Sequence, residues 1–423
     1  MNFVYHLFYQ AILKLKTIQF TFSILIAIYI LVTGFNSSII QAQGTLLNPF
    51  ETINVEVVSN DCSGVKAMLM NKDASRVYSI NLEGMGVYEF DRSSKQILRK
   101  LKFIATPGKG FDYSKKVWID SYQEKPVEAC LTHQGRYLWL SLHNAEGIVI
   151  WDLENNNTHI ENKPFKEAWL YEQSLDTSLN DIASFESKTI KTKVKLLWIK
   201  TGSTPKVITS SPDGKYLFVS NWHSHTVSVI NIESPDPNDW SKITDLKLSP
   251  IPRGLAVTPD SKTLYVAQMG SRIINVIDLA NMNKLRSIDV GINPRHLVIN
   301  NNYLYSSLNL SAKLVKIDLT DESILQKVST GQTPRTIVCT PDGRYLFVTC
   351  YKENTVQLFS TETLELLQTW KSPGHPVCID IFQNKEWIEA WVGNHTYGNV
   401  RVFTLKLNNG IDGDKIELFD TSE

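Results

Sequence analysis

Three features of the sequence predict an all-β fold, specifically a seven-bladed β-propeller of four-stranded antiparallel blades. They are a repeat of about 42 residues, alternating strands without helical periodicity inside it, and a spare strand ahead of the first copy. The repeat is clearest from Pro205 onward. Pro205-Lys206-Val207 leads to Ser211-Pro212-Asp213-Gly214, Pro252-Arg253 to Thr258-Pro259-Asp260, and Pro334-Arg335 to Thr340-Pro341-Asp342-Gly343. The opening prolines Pro205, Pro252, Pro294, Pro334 and Pro376 stand 47, 42, 40 and 42 residues apart.

Taken from the N-terminus, the first element is not part of the repeat. Lys14 and Lys16 precede the apolar run Ile18 to Val32, and the small residues Gly34, Ser37, Ser38 and Ala42 follow. A basic flank, an uncharged apolar stretch and small residues predict that 1–43 is an export signal or a membrane anchor. Residues 44–423 are then expected in the periplasm, at the cell surface or secreted. Next comes Ile53-Asn54-Val55-Glu56-Val57-Val58, the spare strand, which is expected to close the ring beside the strands that follow Pro376.

The seven copies open near 65, 126, 205, 252, 294, 334 and 376. Pro126 keeps the distance to Leu138-Trp139 that Pro205 keeps to Leu217-Phe218, and Val65 sets Asp73 where the later copies have Asp213 or Asp342. In each copy Pro-Asp-Gly or its equivalent turns the first strand into the second. Proline fixes φ, aspartate bonds its own backbone, and glycine takes the positive φ. A polar residue ends each third strand: Asp91, Asp152, Asn231, Asp278, Asp318, Ser360 and Thr404. Side chains of this kind bond the backbone of the next turn, so the column is read as structural. The long early steps place extra chain near Thr106–Gln123 and Asn155–Ile190, and the second stretch reads as a surface excursion between third and fourth strands.

With 43 Lys+Arg against 43 Asp+Glu, no overall field draws the chain to nucleic acid or to an anionic membrane. The cysteines, Cys62, Cys130, Cys339, Cys350 and Cys378, are odd in number and form no CxxC or CxxCH, so zinc ribbons and c-type haem have no support. Cys130 and Cys339 share a repeat column and read as small packed residues. Catalytic and phosphate-loop motifs are missing, and Asp412-Gly413-Asp414 reads as a turn.

Leu264-Tyr265-Val266-Ala267-Gln268, Val219-Ser220-Asn221 and Val276-Ile277-Asp278 resemble the Tyr-Val-Thr-Asn repeat family of β-propellers, similar to YncE-like proteins. The resemblance runs from about Val65 to Phe419 and is strongest in the last five copies. It implies a ring that binds or scaffolds, often in an exported protein, and implies no cofactor. Related rings include lactone hydrolases and a haem d1 domain, so an enzyme stays open by resemblance alone.

The candidate site comes from the position after each opening proline. It holds Lys66, Lys206, Arg253, Arg295 and Arg335. In the two copies with valine there, Val127 and Val377, a basic residue stands just before the proline, Lys125 and His375. First strands line a propeller's channel, so these side chains are expected to form a basic collar at one mouth. Such a collar takes an anionic small molecule or an acidic protein segment, or else it staples neighbouring blades. His143, His223 and His225 lie in the loops after second strands and are weak metal candidates, the stronger expectation being solvated loop residues and no metal. Trp222, Tyr351 and Tyr397 sit in the same loops as wedges or contact residues. The expected function is an exported binding or scaffold ring. The alternative is a lactonase-type hydrolase, for which Glu83, Glu128 and Glu353 are the nearby acids.

Overall fold

The computed structural model describes residues 50–112, 115–155, 160, 162–175, 187–248 and 250–407. The expected export segment and the Asp412-Gly413-Asp414 turn lie outside them. The described chain is all-β and propeller-like, with two single-turn 3-10 helices as its only helical elements. Period-two alternation produces this. Val227, Val229 and Ile274, Val276 are buried from one face of their strands, and neighbouring sheets bury the opposite face through Ile230 and Ile277.

Five sheets have four antiparallel strands each. One of them runs Pro334–Cys339, Tyr345–Cys350, Thr355–Ser360 and Leu366–Lys371, matching the four strands expected in that copy. The turns follow the expected chemistry. Asp342 accepts from the Thr340 hydroxyl at 2.6 Å and the Arg344 amide at 3.0 Å, and Gly343 has φ 71°. Where the glycine is replaced, Ser261 and Ala74 take the same positive φ, at 58° and 52°. Six of the seven strand-ending polar residues accept a backbone N–H from the following turn, for example Asp318 from Thr320 at 2.7 Å and Asp91 from Ser94 at 2.8 Å. Those bonds hold the Asp91 carboxyl down at about 2, the Ser93 hydroxyl contributing most.

The spare strand is where the sequence places it. Phe50–Ser59 pairs antiparallel with Asn399–Leu407 as the outer strand of the last sheet. That sheet is fastened to the first by the Asp380 carboxylate, which accepts from the Met70 amide at 2.7 Å, and by the Arg92–Glu389 ion pair at 3.0 Å. Phe90 packs edge-on against Trp391 across the same seam. The ends of the chain's described part are thus joined by sheet, packing and charge together.

The two early insertions are more structured than loops. Pro107–Asp112 and Val117–Tyr122 make a separate hairpin. Phe165–Leu175 forms a strand that pairs on one side with Ser187–Lys200 and on the other with Ile97–Phe103. The strands from Val65 to Phe103 and those from Pro126 to Lys200 therefore merge into one nine-stranded sheet. An outer strand otherwise leaves a row of unpaired backbone groups, and the inserted strand satisfies them. Its Ala168 and Leu170 bury with Leu101, Phe103, Val194 and Leu196 in a shared core. Among the described residues no helix is long and apolar enough to cross a membrane.

A candidate anion site in the channel

Each first strand begins after a sharp turn that the sequence does not advertise. The residue before the opening position has positive φ in six of the seven copies: Gly64, Thr204, Ile251, Asn293, Thr333 and His375, from 58° to 65°. For Ile251 and the two threonines this is a costly backbone state. No common residue type marks the column, so the sequence carries no signal for it. Its effect is to set the next side chain, the cation, at the start of the channel-lining strand.

The five cations converge. Lys206, Arg253 and Arg295 are buried, and Lys66 and Arg335 are half-buried. Burial pushes the Lys66 ammonium down to about 7, and Arg335, Arg295 and Arg253 push it further the same way. Lys206 is held well below the usual lysine value by burial and then by Arg253, Lys66 and Arg295. Burial and the charges of Arg335 and Arg253 likewise lower Arg295, while Arg335 falls to about 10. These like charges sense one another across copies far apart in sequence, as a collar requires.

Side chains in loops, chiefly of neighbouring sheets, are among their partners. Lys206 Nζ is 2.6 Å from His143 Nδ1, and Lys66 Nζ is 3.3 Å from His395 Nε2. Arg295 donates to the Met269 sulfur at 3.4 Å. Arg335 lies 3.6 Å over the Tyr351 ring, and Lys206 4.4 Å over Trp222. His143, Met269, Trp222, Tyr351 and His395 all occupy the position just after a second strand, so cation column and loop column interlock. His143 and His395 are kept neutral by burial and the adjacent lysines, His395 down at about 4.

One carboxylate enters this cluster. Glu128 accepts from Arg253 Nη2 at 2.7 Å. Arg253 Nε and Nη1 and Arg335 Nε are buried and find no acceptor among the described residues. His296 is half-buried beside Arg253 and Arg295, is pushed down to about 3 chiefly by desolvation, and leaves its Nδ1 without a partner among the described residues. Glu128 and His296 hold the same repeat position, two residues after the proline, and that shared position was the available signal for His296. The first strands here approach closely: a Cβ on Gly254 would stand 2.7 Å from the Arg295 carbonyl oxygen.

The remaining candidates are placed outside this cluster or at its edge. Lys125 pairs with Glu83 at 2.7 Å, and His375 bonds the Thr396 hydroxyl at 2.6 Å while stacking on Tyr351. His223 bonds Thr204 at 2.7 Å and packs against Phe111 and Trp118 of the inserted hairpin. The His225 ring nitrogen receives the Ile251 amide at 3.3 Å. Among the described residues no three His, Cys, Asp or Glu side chains are grouped to hold a metal. Glu353 accepts the Gln332 amide at 2.8 Å, away from Glu128, so the three acids named for a hydrolase do not meet. Burial raises the Cys130 and Cys339 thiols to about 11 and 12, which makes them poor nucleophiles. Tyr397 is 62% exposed, with its ring against Gly374.

Residues 174–362 match the family model of the YNCE-like beta-propeller, the family the repeat residues resemble. Antigen Lp49 of Leptospira interrogans serogroup Icterohaemorrhagiae serovar copenhageni (strain Fiocruz L1-130) is 25% identical over 229 residues, 49% of this chain and 49% of that protein. The chain therefore spans about half the length of this curated relative. Among solved structures, the β-propeller domain of Cps50 (Swd1) from Myceliophteria thermophila superposes with a TM-score of 0.59 at 10% identity. It covers 85% of this chain and all of that one. Hydrazine synthase of Kuenenia stuttgartiensis gives 0.58 at 16% identity, over 85% and 97%. At such identities the two structures speak for the propeller fold alone.

Proposed function

We propose that the chain is an exported, seven-bladed ring that binds an anionic group at its basic channel mouth and serves as a binding or scaffold module. The blade count follows if the nine-stranded sheet is two four-stranded blades joined by the inserted strand Phe165–Leu175, beside five regular ones. Export rests on the sequence of 1–43. Binding rests on one observation: among the described residues five clustered cations have one carboxylate bonded to them, and guanidinium N–H groups of Arg253 and Arg335 are buried without acceptors. Burying unpaired charge is expensive, and a carboxylate or phosphate supplies both the charge and the acceptors. Guanidinium forks suit those two groups. Binding is favoured over hydrolysis because Glu128 is already committed to Arg253 and, among the described residues, no group of acids and histidines gathers with it.

The test is titration calorimetry of the full chain with citrate and with inorganic phosphate, repeated on Arg253→Gln/Arg295→Gln/Arg335→Gln. Loss of binding with the thermal midpoint retained supports the reading. A variant that unfolds, or binds as before, makes the collar a structural staple.

A further inference from the structure

The outer face of the inserted strand carries a second charged surface that the channel reading does not use. Residues Ala168 and Leu170 point into the core, so Glu167, Trp169, Tyr171 and Gln173 point outward. Register fixes their neighbours. Trp169 lies between Lys102 and Lys193, and Tyr171 between Lys100 and Lys191. Lys195 stands opposite Glu167 and continues the row. Five lysines thus flank one aromatic stripe in a chain with no net charge, and among the described residues Asp61 and Glu167 pair with them, at 2.8 Å from Lys100 and 2.9 Å from Lys193.

At one end of the stripe is a cavity of about 440 Å³, lined among others by Asp61, Tyr88, Lys100, Lys102, Tyr171 and Gln173. That volume is in the range of small-ligand sites. The lining is dense in hydroxyl, amide, carboxylate and ammonium groups, the partners that a polyhydroxylated acid needs. The ring faces outside are already capped: Lys191 sits 4.1 Å over Trp169, and Lys195 4.5 Å over Phe165. Nucleobases bind flat, open rings, so capped rings disfavour a single-stranded nucleic acid. A chain of acidic sugars needs ammonium rows and a hydroxyl-binding pocket, and both are present.

We propose that this sheet face binds an acidic polysaccharide, with one uronate-type unit in the cavity at Lys100 and Lys102 and the following carboxylates along Lys191, Lys193 and Lys195. The site is independent of the channel and stands whether or not the channel takes an anion.

The experiment is affinity measurement on the full chain with a short oligogalacturonate, a neutral oligomaltose and an oligo-dT strand. The oligogalacturonate should bind, and the neutral oligomer should not. Lys191→Gln/Lys193→Gln/Lys195→Gln should weaken binding roughly tenfold or more through lost charge-assisted contacts, with the far-UV spectrum unchanged. Should that variant misfold, Gln173→Ala/Thr189→Ala at the exposed rim of the cavity serves in its place, with the same loss expected. Citrate at its channel-saturating concentration, with ionic strength matched, should not displace the saccharide. Equal binding of the neutral oligomer, oligo-dT binding in place of the saccharide, displacement by citrate, or wild-type affinity in the variants each overturns the proposal.

Discussion

Lys206 and Lys195 carry the same ammonium group into opposite surroundings. Lys206 is buried against His143 and Trp222 with arginines nearby, and its proton is held weakly. Lys195 is exposed, rests over Phe165 and stands on the solvent face of the nine-stranded sheet. In the channel a cation costs free energy until something negative joins it. On the sheet face it costs almost nothing, because water screens it. The difference teaches that the repeat column and not the residue type decides whether a charge in this fold creates a demand for a partner.

The largest expected effect removes the channel's one counter-charge. Glu128→Gln should cost about 3 kcal/mol of stability in chloride buffer, because it strands a buried cation, and citrate should restore part of it. Glu167→Gln, which breaks an exposed pair with Lys193, should cost less than about 0.5 kcal/mol. Urea denaturation of both variants checks this, and equal losses would erase the contrast.

The second effect is a pH dependence that Lys66 brings to the channel. The folded-state pKa of Lys66 is about 7, below the ordinary lysine value of 10.5. Between those values the unfolded chain binds more protons than the folded one, so this group makes stability rise with pH across the window. Below about 7 its full penalty is present. Urea midpoints from pH 7 to 10 without polyvalent anions should show the rise, and Lys66→Met should flatten it. A Lys66→Met variant with the wild-type slope contradicts a strained Lys66. The same proton predicts tighter citrate binding below pH 7 than above it.

Third, Arg295→Met should raise stability by about 1 kcal/mol in anion-free buffer, since it removes a buried cation that has no carboxylate bonded to it. Thermal melting with and without citrate measures the gain and the loss of citrate's effect. Destabilisation instead would mark Arg295 as a staple through Met269. The smallest effect is on the outer face: Lys191→Gln should shift stability by less than about 0.5 kcal/mol.

Much of the fold was legible because its signals are local. The Thr340-Pro341-Asp342-Gly343 turn, the Asp91 and Asp318 turn bonds and the two-residue alternation act within a few residues, and the structure realises them as read. The cation column was legible too, since copies can be laid over one another. The counter-charge was not. Glu128 reaches Arg253 across 125 positions, and Lys66 meets His395 across 329, so no window of sequence shows either contact. The turn column at Thr204, Ile251 and Thr333 was hidden for a different reason, since its residues do not prefer the conformation they adopt. The inserted strand sat in a stretch read as an excursion. The alternating Lys191, Lys193 and Lys195 of its partner strand were visible, but what they would pair with was not.

The sequence alone determined an all-β repeat of four-stranded sheets, the turns between their strands and the spare strand that joins the last sheet. Period, turn chemistry and alternation are properties of short segments, and any fold of this chain must satisfy them. Only the tertiary structure decided that five cations from five copies share one buried space with a single carboxylate, and that an insertion fuses two sheets and turns three lysines outward. Both depend on which segments come together in the folded sheets. Burial and electrostatic coupling are set by those neighbours and not by the neighbours along the chain.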